Sequence, residues 1–306
     1  MSGEHPTALA TPALRSQRFT SATLLSDYWT LTKPEVNFLI LIATFVGFDL
    51  GCSNAGQQLS FFASFNTLLG TLLVASGTAT LNQYIERNFD AQMRRTARRP
   101  LATGRLKPHA ALAFGIVLSV AGSIYLAVAV NLLPSLLALL TLISYLFLYT
   151  PLKRRTPLCV LVGAFPGAMP PLIGWAAASG KLNMEAWILY AIVFLWQFPH
   201  FMAIAWMYRE DYDRAGYKML PTGRARVAFV ILQTMLPLFV LLPISIVQLP
   251  ARPAGTLYWV GQLLGLGFLS FGLDFVHQRS RGAARRLLAA SIVYLPLLFL
   301  LRVTGR

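Results

Sequence analysis

Asn82, Glu86 and Asp90 stand four residues apart in the run NQYIERNFDAQMRRTARRPLATGR, residues 82–105. On a helix, steps of four residues turn only about 40°, so these three oxygen-bearing side chains share one stripe. Carboxylate and amide oxygens are the hard ligands Mg²⁺ prefers, usually one or two carboxylates plus substrate phosphates. Arginines crowd the same run, and the guanidinium fork suits two phosphate oxygens at once. The expected chemistry is therefore the binding of a metal and a phosphorylated ligand. Asn82, Glu86 and Asp90 are the expected metal ligands, and Arg94, Arg95, Arg98 and Arg99 the phosphate partners. A second cluster, YREDYDRAGYKMLP (208–221), again mixes tyrosines, acids and cations. If the two clusters meet, Asp211 is the candidate ligand of a second metal ion, with Tyr208, Tyr212 and Lys218 beside it. The plainer alternative is that both clusters are salt-bridge networks at a membrane edge.

The rest of the chain must position these residues, and it is mostly hydrocarbon. Of 306 residues, 56% are hydrophobic and 12% charged, against about 25% charged in a soluble domain. Nine apolar runs, roughly 34–51, 61–81, 109–131, 133–150, 158–178, 185–207, 227–248, 257–275 and 287–303, are long enough to cross a hydrocarbon core of about 30 Å. Backbone amides in lipid must be satisfied internally, so each run is read as a helix. Residues 1–30 read as a polar tail, and residues 31–306 as one transmembrane domain. The first residues lack the apolar core of a cleavable signal peptide.

With the amino terminus placed in the cytoplasm, all of the 26 lysines and arginines except Lys181, Arg252, Arg302 and Arg306 fall on the cytoplasmic side. That is the asymmetry of the positive-inside rule, and it places the carboxyl terminus on the opposite side. The net charge of +15 is thus explained by topology and attraction to anionic lipid headgroups. Nucleic-acid binding is not implied. Cys52 and Cys159 fall at opposite membrane faces, which excludes a disulfide framework.

The Asn82-x-x-x-Glu86-x-x-x-Asp90 pattern resembles the acidic motif of the UbiA superfamily of intramembrane prenyltransferases. Further segments resemble its haem-modifying branch: LTKPEVNFLILIATFVGF (31–48), MRRTARRPLATGR (93–105), YTPLKRRTPL (149–158), VGAFPGAMPPLIGW (162–175), FPHFMAIAW (198–206) and DYDRAGYKMLP (211–221). They cover the first six helices and the loop after them; the last three helices match in hydrophobic character only. Position 86 carries Glu where the superfamily usually has Asp, and position 88 is Asn where many relatives carry another acid.

The resemblance implies an all-α bundle of nine transmembrane helices around a central cavity open to the cytoplasmic side, in a bacterial inner membrane. It implies transfer of a farnesyl group from farnesyl diphosphate to a vinyl group of haem B, with addition of water, giving haem O. Mg²⁺ would accompany the diphosphate. A haem A synthase or terminal oxidase assembly factors would be downstream partners. Asn82, Glu86, Asp90, Arg94 and Lys153 are the expected leaving-group residues, with Arg154 near them. His200, inside the sixth apolar run, is the best candidate for a haem ligand, since ionisable residues inside membranes are usually functional; the alternative is that it bonds a neighbouring helix. Asn37, polar within the first run, either lines the cavity or bonds another helix. Pro166, Pro170 and Pro171 should break the fifth helix, either as a kink that neighbouring helices repair or to widen a cavity for the macrocycle, with Gly163, Gly167 and Gly174 allowing close approach. A prenyltransferase acting on a quinone precursor or a chlorophyllide is the nearest alternative. A transporter is remoter, because the charges gather at one membrane face instead of at mid-depth.

Overall fold

A computed structural model describes residues 21–246 and 256–304. Among them the chain is helical: α1 (Ser21–Leu31), α2 (Pro34–Asn54), α3 (Phe61–Asp90), α4 (Pro108–Ala129) and α5 (Leu132–Ile143) come first. A π-helical segment, Ser144–Tyr149, leads into the short α6 (Thr150–Leu152). Then follow α7 (Cys159–Gly167), α8 (Met169–Ser179), α9 (Met184–Met207), α10 (Arg209–Arg214), α11 (Ala225–Ile246), α12 (Thr256–Gln278) and α13 (Arg281–Thr304). Nine spans among the described residues are long and apolar enough to cross a membrane, with Leu132–Leu152 and Cys159–Ser179 each counted as one.

Local chemistry sets the boundaries. Pro34 and Pro108 open α2 and α4, where a missing N–H costs nothing. Ser60, Asn131 and Asn183 cap α3, α5 and α9 by accepting from backbone amides of the first turn. Gly180 closes α8 at φ 69°, the left-handed conformation glycine adopts without penalty. The expected break in the fifth span occurs at Ala168, between α7 and α8.

Small residues let the helices touch backbone to backbone, as membrane bundles require. A Cβ on Gly174 would lie 1.8 Å from the Thr44 carbonyl oxygen, and one on Gly47 would lie 2.1 Å from that of Pro171. Thus α2 and α8 cross at contact distance. Gly77 against Ser119, and Gly122 against Val74, do the same for α3 and α4. The glycines expected to admit a macrocycle instead receive protein: Gly163 faces Tyr149, Gly167 faces the Gln197 side chain, and Gly174 faces α2. Helices α9, α11, α12 and α13 pack around one another as a second group, joined to the first where α9 meets α7 and α8 and α13 meets α2.

Two elements differ from the sequence reading. The tail is helical from Ser21, because α1 docks onto the rest of the molecule. Leu31 packs with Leu101, Leu106 and Ala111, and Asp27 pairs with Arg105. The second span runs to Asp90 instead of 81. Its 30 residues span about 45 Å at about 1.5 Å each, well beyond a hydrocarbon core of about 30 Å. The excess carries Asn82, Glu86 and Asp90 to the membrane edge on helical backbone.

Candidate active site

Asn82, Glu86 and Asp90 occupy one buried face of α3, as their spacing predicts. Each meets a partner from another element. The Lys153 ammonium lies 2.9 Å from Glu86 Oε1, and Arg99 Nη1 lies 2.7 Å from Asp90 Oδ2. Asn82 donates to Thr150 Oγ1 at 3.2 Å and accepts from Lys33 Nζ at 3.3 Å. The π-helical segment leads through α6 to Lys153, the first of these partners. It places Tyr145 and Tyr149 with ring centroids 5.0 Å apart, and the Lys153 ammonium sits 4.5 Å from the Tyr149 ring. Such single π turns recur at functional sites.

Lys33 is the residue that sequence reasoning assigned only to topology. It caps α2 with φ 50°, an uncommon conformation for a side chain bearing a Cβ, and this turns its ammonium toward Asn82. Half-buried, with Arg99 and Lys153 nearby, it has no carboxylate at ion-pair distance among the described residues. Burial first, then those two cations, pull its pKa down to about 7; Glu86 and Asp90 oppose them. Lys153 shows the opposite balance. Burial alone would lower its pKa, but the Glu86 carboxylate and the Tyr149 and Tyr145 rings hold it well above the usual lysine value. Tyr217, beside Glu86, is kept protonated, first by burial and then by that carboxylate. Arg99 and Lys153 therefore face two carboxylates, and Lys33, which a pKa of about 7 leaves partly protonated near neutral pH, tips the balance positive.

The second acidic cluster reaches the first. The Arg95 backbone N–H donates to Asp211 Oδ2 at 3.4 Å, Arg95 Nη2 reaches the Tyr212 hydroxyl at 3.5 Å, and its guanidinium lies 5.0 Å from the Tyr208 ring centroid. Lys218 contributes its backbone N–H, bonded to the Lys153 carbonyl at 2.6 Å. A cavity of about 400 Å³ opens beside Glu86, lined also by Ile85, Phe89, Thr150, Pro151, Arg154, Arg155 and Tyr217. The arrangement is a cationic, carboxylate-bearing end on an apolar bundle.

The amino-acid sequence matches the UbiA prenyltransferase family over residues 40–299. The chain belongs to that family. Among curated relatives, the protoheme IX farnesyltransferase of Solibacter usitatus is 48% identical over 289 residues, covering 92% of this chain and 99% of the relative. That of Koribacter versatilis is 42% identical over 297 residues, 93% and 94% of the two chains. The solved structure of a digeranylgeranylglyceryl phosphate synthase superposes with a TM-score of 0.70, covering 92% of this chain and 98% of that one at 17% identity. A UbiA homologue from Archaeoglobus fulgidus, bound to GPP and Mg²⁺, gives 0.61 at 15% identity, covering 90% and 99%. At such identities the likeness is one of fold.

Within this UbiA-type bundle the expected site residues separate into groups. Asn82, Glu86, Asp90, Arg99 and Lys153 come together, and Arg95, Asp211, Tyr208 and Tyr212 form the adjoining wall. Asp211 is also held by Arg214 at 3.2 Å. Arg94 and Arg98 are exposed on the loop after α3. Arg154 lies over the Phe89 ring at 4.1 Å, and the Lys218 residue is exposed. Asn37 bonds another helix: its amide donates to Ser76 Oγ at 2.9 Å and to the Thr32 carbonyl at 2.8 Å.

His200 faces α13, with Nδ1 2.8 Å from Ser291 Oγ and its ring stacked on Trp196. Ser291 has one hydroxyl proton and also lies 2.6 Å from the Leu288 carbonyl. Both contacts are satisfied together when the serine donates to Leu288 and His200 Nδ1–H donates to the serine. Nε2 then carries the free lone pair.

Sequence reasoning missed Lys33, Thr150 and Tyr217. The signal for Lys33 was a lysine directly before the proline that opens a membrane helix. All three lay inside segments already noted for their resemblance.

Proposed function

We propose that this chain is a prenyltransferase that moves a farnesyl group from farnesyl diphosphate to a vinyl group of haem B. Water is added in the same reaction, and haem O and diphosphate are the products. The observation that carries the reading is the buried meeting of Lys33, Arg99 and Lys153 with the Asn82–Glu86–Asp90 stripe, in a chain 48% identical to a protoheme IX farnesyltransferase. Lys33 and Lys153 take the diphosphate oxygens. Arg95, on the loop after α3, closes the site against the second loop, and charge on the departing diphosphate is stabilised by groups already in place.

The donor set fits Mg²⁺. Glu86 and Asp90 share one helix face, and Asp90 Oδ1 is buried without a hydrogen-bond partner. Among the described residues, no three His, Cys, Asp or Glu side chains are placed to hold a metal alone, as suits an ion that shares its ligands with phosphates. Asn82, Glu86 and Asp90 would hold it, with Asp211 on the facing loop. Bound there, Mg²⁺ supplies Lewis-acid stabilisation of the leaving diphosphate. Lys153 and Arg99 meanwhile keep the carboxylates oriented. The developing allylic cation runs into an aromatic and apolar interior, where rings such as Tyr145 and Tyr149 stabilise it by cation–π attraction. His200 Nε2 is the group offered to the haem iron.

The charged end faces the cytoplasm of a bacterial cell. Expression in a strain that makes no haem O, followed by mass analysis of extracted haems, tests the reading. Haem O is expected; haem B alone, or a newly prenylated quinone, would refute it.

A further inference from the structure

Helix α1 exposes an apolar face beside the first residues of the α2 span. Leu24, Leu25 and Trp29 are 39%, 75% and 65% exposed. Leu25 and Trp29 lie four residues apart and so share a face. Thr23, Ser26 and Thr30, also exposed, fall on an adjacent arc about 100–160° round the helix from Leu25. The third face is buried: Asp27 is 6% and Leu31 0% exposed. The only charged side chain of α1, Asp27, is thus turned away from the apolar face and bound by Arg105 through Nε and Nη2 at 2.9–3.1 Å. Two residues, Thr32 and Lys33, separate α1 from α2, a 21-residue membrane span. So short a link holds α1 at the mouth of that span.

We infer that α1 is an interfacial helix: its Leu24–Leu25–Trp29 face seats in the headgroup–acyl boundary of the bilayer on the diphosphate side. The occupant is lipid because the open face bears no charge, continues the lipid-facing surface of α2 (Val36 and Phe38 are 52% and 64% exposed), and presents a tryptophan, the residue favoured at that depth. Arg87 and Lys107 flank the same end of the bundle and suit anionic headgroups. The buried face carries the consequence. Asp27 and Leu31 hold the loop that contains Arg95 and Arg99, Gln83 bonds the Leu31 carbonyl at 2.9 Å, and Lys33 follows directly. Seating α1 on lipid therefore fixes the anion-binding groups relative to the membrane surface.

The test places an environment-sensitive fluorophore on Leu25→Cys or on Thr30→Cys in the full chain, reconstituted in phosphatidylcholine–phosphatidylglycerol vesicles. The native Cys52 and Cys159 are buried, so labelling reaches the introduced thiol. Val117→Cys, on the outer surface of α4 (62% exposed), provides the lipid reference. The expected result is a blue-shifted emission at position 25, mostly lost when nitroxide lipids are included, and emission at position 30 quenched by aqueous iodide. Equal iodide quenching at 25 and 30 would overturn the inference. So would a signal at 25 that ignores nitroxide lipids and changes on protein dilution, which would mean a second copy covers this face.

Discussion

Lys33 sits in the site as an amine whose protonation a bound anion would complete. It is turned inward by a left-handed backbone and crowded by Arg99 and Lys153, and its ammonium donates to the Asn82 amide oxygen. A hydrogen bond to a charged group contributes about 1.5–3 kcal/mol. Lys33→Met should therefore weaken farnesyl diphosphate binding by about 10- to 100-fold, with thermal stability kept or raised, because a buried like-charge is removed. Binding titrations and unfolding in detergent check the two halves. Asp90 makes a complementary case. Its Oδ2 is committed to Arg99 while Oδ1 is free, so Asp90→Ala should abolish most farnesyl transfer and shift the Mg²⁺ dependence to higher concentration. Full transfer at the unaltered Mg²⁺ optimum would remove Asp90 from the metal site.

The Glu86–Lys153 pair distinguishes structure from chemistry. Both side chains are nearly buried, at 8% and 12% exposure. Removing one partner strands the other, a loss of about 3–5 kcal/mol. Lys153→Met should therefore lower the unfolding temperature strongly, and adding Glu86→Gln should recover most of that loss without restoring turnover.

Helices deliver these side chains by two devices: overlength and close approach. The stripe on α3 was legible because steps of four residues survive any error in where a helix ends. The apolar run ended at 81, yet the helix continues to Asp90, because its polar final turns are held by Lys33, Thr150, Lys153 and Arg99. Those contacts come from distant parts of the chain, and no local pattern announces them. Asn37 illustrates the same limit: polarity inside a membrane helix was visible, but its partner Ser76 was not. Helix α1 escaped notice because it is short and divides its surface into three narrow faces. The crossing of α2 and α8 gives a prediction at this scale. Gly174→Val would drive a Cβ to 1.8 Å from a backbone oxygen that cannot move aside. Overpacking typically costs about 1–3 kcal/mol, and more against rigid neighbours. Unfolding temperature should drop sharply, whereas Gly261→Ala, with nothing within 4 Å, should leave it unchanged or slightly higher.

At the scale of the molecule, the charge segregates to one end and the hydrocarbon to the bundle, and the reaction needs both. Ionising an allylic diphosphate calls for cations and a metal. Steering the carbocation to a vinyl carbon calls for a space poor in competing nucleophiles. The charge asymmetry and the acidic motif made the first half readable from residues alone. The acceptor was not readable from them, because nothing in a row of apolar residues specifies a porphyrin; it came from the resemblance and from the relatives.

The most direct measurement supplies the purified protein in vesicles with haem B, farnesyl diphosphate, Mg²⁺ and ¹⁸O-labelled water. It then compares diphosphate release with the mass of the haem product. One diphosphate per haem O formed is expected, with the new hydroxyl oxygen carrying the label. Diphosphate release with haem B unchanged and farnesol as the product would contradict it.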